Sequence, residues 1–300
     1  MNLELNNKLH GFVLEQIKDI EDAKGTLYMF RHEQTNAELC WLKRDDNNKT
    51  FAITFKTIPD NDTGVFHILE HSVLNGSKKY PVREPFVELL KSSLQTFLNA
   101  FTYPDKTMYP VSSRNNKDYM NLVSVYMDAV FQPAIYTNPN IFLQEGWHYQ
   151  IHDVNEEMEY SGVVLNEMKG AFSSVDETIV DELNRMLFPD NCYKYVSGGD
   201  PRYITDLTYE QFIETHQKFY HPSNARVWVD GNLDIDEVLR FIHEEYFVNY
   251  QKEEMDFAIP MQKVLPAVHN RIFYEVSENE PTENRSHISF AKIISTYDSY

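Results

Sequence analysis

The chain has 300 residues, with 46 acidic side chains against 27 basic ones and a formal charge of -19. Its 42% hydrophobic and 14% aromatic content is that of a packed globular protein and excludes an intrinsically disordered chain. The anionic balance argues against nucleic acid, which is bound mainly through cationic contacts, and two cysteines, Cys40 and Cys192, exclude a disulfide framework. The acidic surface either serves solubility alone or concentrates basic peptides. No run of about 18 apolar residues is present to span a membrane, and residues 1–4 lack the basic start of a secretory signal, so the expected location is the cytoplasm.

In chain order, strands are predicted at 26–30, 37–42 and 51–58. In the third, Phe51, Ile53 and Phe55 alternate with Ala52, Thr54 and Lys56, as in a sheet with one covered face. Asp45-Asp46-Asn47-Asn48 supplies the turn between the second and third strands. Asp62-Thr63-Gly64 signals a helix start and Asn75-Gly76 a stop, giving a short helix at 65–74. Pro85, followed by Phe86, Leu89, Leu90 and Leu94, opens another helix. Residues 98–103 and 107–111 flank Pro104-Asp105-Lys106 as a hairpin, with Cys40 read as a small core residue in an earlier alternating strand. Helices follow at 117–131, 162–172, 175–187 and 208–220, then a strand at 225–230 and a helix at 235–246. This order indicates an α+β domain, a mixed or antiparallel sheet packed against helices, ending near residue 250. Residues 251–266 read as a linker. Strands at 271–276 and 287–294 then open a second domain at 267–300; two strands cannot bury a face alone, so the chain is expected to be the first part of a longer protein.

The chemistry centres on His67-Ile68-Leu69-Glu70-His71. At 100° per residue the two histidines lie about 40° apart around the helix axis, with Glu70 beside them, while Val65, Phe66, Ile68, Leu69, Ser72 and Val73 form the opposite arc. Two neutral imidazoles one turn apart suit a tetrahedral zinc ion that keeps one position open, and Glu70 suits a general base for an attacking water. This is the inverted order of the H-E-x-x-H motif. The competing reading is a pair of ordinary hydrogen-bonded histidines and a solvated acid. A third ligand must come from elsewhere: Glu167, on the helix at 162–172, stands only slightly ahead of Glu145, His148 and Glu177. His148 and His152 are spaced too far apart in an apparent strand to chelate together. Ser197-Gly198-Gly199-Asp200 lacks the helix and lysine of a phosphate loop and reads as a turn. Leu98, Asn99, Ala100 and Phe101 read as an edge that pairs with an extended peptide, or else as an ordinary internal hairpin.

The run from Thr63 to Ser77, together with Leu98-Asn99-Ala100-Phe101-Thr102, Gln144-Glu145-Gly146-Trp147, residues 162–170, Ser197-Gly198-Gly199-Asp200-Pro201 and Tyr220-His221-Pro222-Ser223-Asn224-Ala225, resembles the pitrilysin/insulinase family of zinc peptidases, in its presequence protease and falcilysin branch. Six segments in the same order over nearly the whole chain are far more specific than one five-residue motif. The resemblance implies a metallopeptidase domain of the LuxS/mitochondrial-processing-peptidase type, with His67, His71 and Glu167 as zinc ligands and Glu70 as the base. It implies a zinc endopeptidase for unstructured peptides, whose chamber closes only with the C-terminal half of the full-length protein. The alternative is a non-catalytic homologue of the same fold that binds peptides or supports an assembly.

Overall fold

The structure, a computed structural model, describes residues 3–82, 85–279 and 281–294. The period-two alternation of the early strands translates directly into burial: Phe51, Ile53 and Phe55 are fully buried, as are Phe12 and Leu14 nearer the N-terminus. Five strands open the chain, β1 (Lys8–Leu9), β2 (Phe12–Ile20), β3 (Gly25–His32), β4 (Glu38–Lys43) and β5 (Lys49–Lys56). Helices α1 (Val65–Val73) and α2 (Pro85–Ser92) follow, then β6 (Gln95–Leu98), β7 (Phe101–Thr102), β8 (Lys106–Ser113) and the long α3 (Asn116–Phe131). A second set comprises α4 (Asn140–Glu145), the hairpin of β9 (His148–Gln150) and β10 (Glu159–Ser161), α5 (Val163–Ala171), α6 (Val175–Leu187), α7 (Tyr209–Phe219), β11 (Ala225–Asp230) and α8 (Ile235–Glu245).

One nine-stranded sheet runs in the order β1-β2-β3-β4-β11-β5-β8-β6, with β7 also on β8. It is antiparallel except where β11 lies parallel to β4. The α+β class with a mixed sheet is therefore as expected, but the connection between β4 and β5 is not a hairpin: β11 occupies the space between them, and Gly231 and Asn232 bond back to Leu42 and Asp46. Local turn chemistry cannot reveal a strand arriving from nearly two hundred residues later. Helices α1, α3, α7 and α8 send their apolar residues into the cluster formed by the covered sheet face, where Phe66 meets Phe219 edge-on at 4.8 Å. Each fully buried phenylalanine of this core contributes about 1.5–3 kcal/mol. The helix starts are capped by side chains as their sequences demand, Asn115 for α3, a reciprocal Thr208–Gln211 box for α7 and Asp234 for α8.

Three further expectations are corrected. Cys40 is only partly buried, because Leu39 and Trp41 take the core side of β4 and leave Cys40 on the other face opposite Met29 and Trp228. Strand β2, unread in the sequence, carries Glu15, Lys18 and Asp19 on its exposed half, which dilutes the alternation. The strands expected at 271–276 and 287–294 do not form; among the described residues 251–294 there is no helix or strand, and Phe273, Ile288 and Phe290 are largely exposed. An extended run without a neighbour has no ladder to join. The first part of this stretch follows the domain surface, stacking Phe257 on Phe219 and bonding Glu253 N–H to Ser223.

Two buried histidines give the fold a predictable acid response. His216 donates from Nε2 to Val130 O at 3.0 Å and accepts the Tyr136 hydroxyl at 2.7 Å, and burial pulls its pKa down to about 3. His32, held neutral by burial and by neighbouring His243, falls to about 4. Both take up protons in the unfolded chain near pH 6.5 but not in the native one, so the unfolded state binds more protons as pH falls from 6.5 towards 4. Stability is therefore full above pH 6.5 and declines below it, with each histidine contributing about 1.4 kcal/mol per pH unit. Urea titrations across this range check the slope, and His216→Gln is expected to flatten it by about 1.4 kcal/mol per unit.

Candidate metal centre

The start of α1 departs from its expected cap. Gly64, at φ 67°, is the N-cap residue and offers no side chain, while the Asp62 carboxylate turns instead to Arg185 and to Val196 N–H. Gly64 permits more than the turn: a Cβ there would lie 2.6 Å from Gly199 Cα and 2.7 Å from Gly198 O. Bare backbone thus seats the 196–200 loop on the head of the helix, and Gly198 O accepts a hydrogen bond from His67 Nδ1–H at 2.9 Å. One turn later His71 Nδ1–H donates to Glu145 at 3.3 Å, and Asn75 and Gln144 donate to the other Glu145 oxygen, each at 2.9 Å. Because a carbonyl and a carboxylate can only accept, both imidazoles carry a proton on Nδ1, and in the neutral form each presents Nε2 as its free electron pair.

Those two Nε2 atoms face a third donor. Glu167, on α5, places Oε2 3.7 Å from His67 Nε2 and 3.8 Å from His71 Nε2, and the ligand atoms of all three residues lie within 4.8 Å of one another. A zinc ion bonded to nitrogen at about 2.0–2.1 Å and to oxygen at about 2.0–2.2 Å holds neighbouring donors roughly 3.3 Å apart in a tetrahedron, so the two histidine–Glu167 distances need contract by only about half an ångström, and no separation in the group by more than about 1.5 Å, to hold zinc. The donor chemistry, two neutral imidazoles and a carboxylate with the second ring nitrogens already engaged, is that of a divalent metal site with an outer shell in place. Among the described residues no other group of three His, Cys, Asp or Glu side chains comes this close.

The placement of α5 rests on a second backbone contact. A Cβ on Gly162, the residue before α5, would come 2.0 Å from Gly146 O, directly after α4, so the helix with Glu167 is packed against the end of the helix with Glu145. The three side chains grade from buried to exposed: that of His67 is 12% exposed, His71 27% and Glu167 53%. Burial alone would lower the His71 pKa; its bond to Glu145 and the charges of Glu70, Glu145 and Glu167 outweigh that and raise it.

Glu70 sits deeper than its place beside the two histidines suggests, at 8% exposure. Its charge reaches the hydroxyls of Tyr109, Tyr126 and Tyr220, which burial, first, and Glu70, in addition, keep protonated. The 98–101 segment is at the sheet edge. Leu98 pairs with Val111 and Phe101 with Met108, while Asn99 and Ala100 interrupt the strand between β6 and β7. Tyr126 OH donates to Asn99 O at 3.2 Å, and Thr102 Oγ1 donates to Phe66 O at 3.4 Å, tying this edge to α1.

Of the other ligand candidates, Glu145 stands behind His71 on the Nδ1 side, His148 lies in β9 and donates from Nδ1 to Leu143 O, and Glu177 is exposed in the first turn of α6. None of them joins the Nε2 cluster. His152 lies past the end of β9. The segment at 197–200, read as a turn, supplies the acceptor for His67, and no spacing in the sequence signals that role.

Residues 58–173 match the insulinase (peptidase family M16) model, and residues 206–300 match that of the peptidase M16 inactive domain. The chain is 50% identical to protein HypA of Clostridium perfringens over 295 residues, covering 98% of this chain and 30% of that protein. It is 50% identical to presequence protease 1, chloroplastic/mitochondrial, of Arabidopsis thaliana over 234 residues, 78% of this chain and 22% of the relative. With the mitochondrial presequence protease of Mus musculus it shares 42% identity over 265 residues, 87% of this chain and 25% of the relative. The chain thus spans between 22% and 30% of the length of these relatives. The crystal structure of pitrilysin superimposes with a TM-score of 0.65 at 18% identity, over 86% of this chain and 26% of pitrilysin, a likeness of fold. With both family models matched in order and the presequence proteases as relatives, the chain belongs to the insulinase (M16) peptidase family, in its presequence protease branch.

Proposed function

We propose that the full-length protein is a zinc-dependent endopeptidase that hydrolyses extended, unstructured peptides, and that this chain carries its catalytic residues. The convergence of His67 Nε2, His71 Nε2 and the Glu167 carboxylate on one point beside the buried Glu70 carries this reading. Zinc held by these three residues would supply a Lewis acid for the scissile carbonyl and lower the pKa of a water in its open position. The chain's own residues do the rest. Gly198 O and Glu145 fix the two imidazoles in one tautomer and orientation. Glu70 takes the proton of the attacking water on its carboxylate and returns it to the departing amine. The edge formed by Leu98, Asn99, Ala100 and Phe101, tethered to α1 through Thr102, would hold an extended peptide by backbone pairing, which reads shape more than sequence. The anionic chain favours basic peptides. Because the presequence protease relatives are several times longer, the remainder of the full-length protein is part of the proposal, as the element that closes around the substrate. A cytoplasmic location, where Cys40 and Cys192 stay reduced, belongs to the same proposal.

A non-catalytic peptide-binding homologue would not need the cluster, and the inactive-domain match begins at residue 206, beyond His67, Glu70, His71 and Glu167. Chelator treatment of the full-length protein tests the choice. Cleavage of an unstructured basic peptide is expected to vanish on metal removal and return with one equivalent of zinc per chain. Cleavage that persists in metal-free protein, or zinc-loaded protein that binds the peptide without cutting it, would sink the assignment.

A further inference from the structure

Arg185 lies in the last turn of α6, more than a hundred residues from α1, yet its guanidinium is gripped at the head of that helix. Nη1 and Nη2 donate to the two oxygens of Asp62 at 3.0 and 3.1 Å, Nε donates to Asp181 at 3.1 Å, and Nη2 stands 3.6 Å from Asp200. The Asp62 side chain is 12% exposed and that of Asp200 1%. Asp62 also accepts Val196 N–H on Oδ1 and Asp200 N–H on its main-chain oxygen, each at 2.9 Å. The loop from Val196 to Asp200 is thus pinned at both ends to a residue that precedes α1, and its middle carbonyl, Gly198 O, is the acceptor for His67 Nδ1–H.

A planar, forked cation can bind both oxygens of Asp62 and stay within reach of Asp200; an ammonium offers one point charge. Take the guanidinium away and Asp62, Asp181 and Asp200 face one another as partly buried like charges, of which Arg202 neutralises only Asp200. The loop would then draw back, and His67 would lose the acceptor that leaves its Nε2 free.

On the reading of His67, His71 and Glu167 as zinc ligands, we propose that Arg185 is a positioning residue for His67, acting through Asp62 and the Gly198 carbonyl. Zinc dissociation constants of the full-length protein, measured against a competing chelator, test this alongside thermal melting of the metal-free forms. Arg185→Met is expected to weaken zinc binding about 10- to 100-fold and Arg185→Lys by less, whereas Asp181→Asn, which removes only a partner within α6, stays within about two-fold. Zinc binding by Arg185→Met within about two-fold of the unaltered protein, or an equal loss in Asp181→Asn, overturns the role. If Arg185→Met fails to melt cooperatively, Arg185→Lys decides: a loss of about three-fold or more supports the role and an unchanged constant overturns it. An unaltered full-length protein that takes up no zinc overturns the metal reading itself, an outcome distinct from normal zinc uptake by the Arg185 variants.

Discussion

A Glu70→Gln variant of the full-length protein is expected to bind zinc as the unaltered protein does while its kcat for an unstructured peptide falls by about 10²- to 10⁴-fold. Glutamine keeps the shape of the side chain, so the 8%-exposed position on α1 stays filled and the packing around Tyr109, Tyr126 and Tyr220 is preserved. The three proposed metal donors belong to other residues, and the outer partners Gly198 O and Glu145 are untouched. What disappears is a carboxylate able to take a proton from water and give it to the leaving amine. Such a group acts in the transition state more than in the ground state, so KM changes little. Steady-state kinetics with parallel zinc analysis check this, and a kcat within about ten-fold of the original would remove Glu70 from the role of base.

The second large effect concerns backbone alone. Gly162→Ala would place its new methyl 2.0 Å from Gly146 O and 2.7 Å from Gly146 C, and neither atom can rotate out of the way. The helix beginning at Val163 must then separate from the end of α4, moving Glu167 away from the histidines and disturbing Glu145 at the same time. A loss of about 3 kcal/mol in stability, at the upper end of the usual overpacking cost, is expected, together with loss of zinc. Gly170→Ala on the same helix is the control. Nothing lies within 4 Å of its new methyl, and alanine in a helix interior is expected to add about 0.5–1 kcal/mol. Urea denaturation with zinc stoichiometry distinguishes the pair; equal behaviour of the two variants would show that the Gly146–Gly162 contact does not hold α5 in place.

What could be read from the sequence follows the range of the interactions. His67, Glu70 and His71 are legible together because a single helical turn sets their relation, and the apolar arc behind them is buried as the periodicity requires. Glu167 is different. Nearly a hundred residues away, it could not be separated by residue type from Glu145, His148 or Glu177, and only the family resemblance singled it out. Geometry now distinguishes them: Glu145 serves the far nitrogen of His71, which no motif encodes, because its position depends on α4 packing against α1. The Gly64 and Gly198 contact was invisible for the same reason, since the missing side chains carry no pattern. Asp62 resembled a helix cap by residue type but was claimed by a stronger partner, Arg185. The strands expected at 271–276 and 287–294 had suitable composition and lacked neighbours, and composition alone does not make a sheet.

The interposition of β11 between β4 and β5 also orders the assembly of the molecule in time. During synthesis, β1 to β4 and β5 to β8 emerge as two separate half-sheets, each ending in a strand edge with unpaired backbone N–H and C=O groups, and they can be zipped together only after Asp230 has left the ribosome. At typical translation speeds the interval between β5 and β11 lasts roughly 10 to 30 s, long compared with the microseconds in which a hairpin closes. Throughout that pause the borders of β4 and β5, the latter rich in Phe51, Ile53 and Phe55, are the places where a nascent chain would attract a chaperone or a wrongly matched neighbour. A late-arriving keystone thus makes the central seam both the last part of the sheet to close and the part most exposed to error before it does.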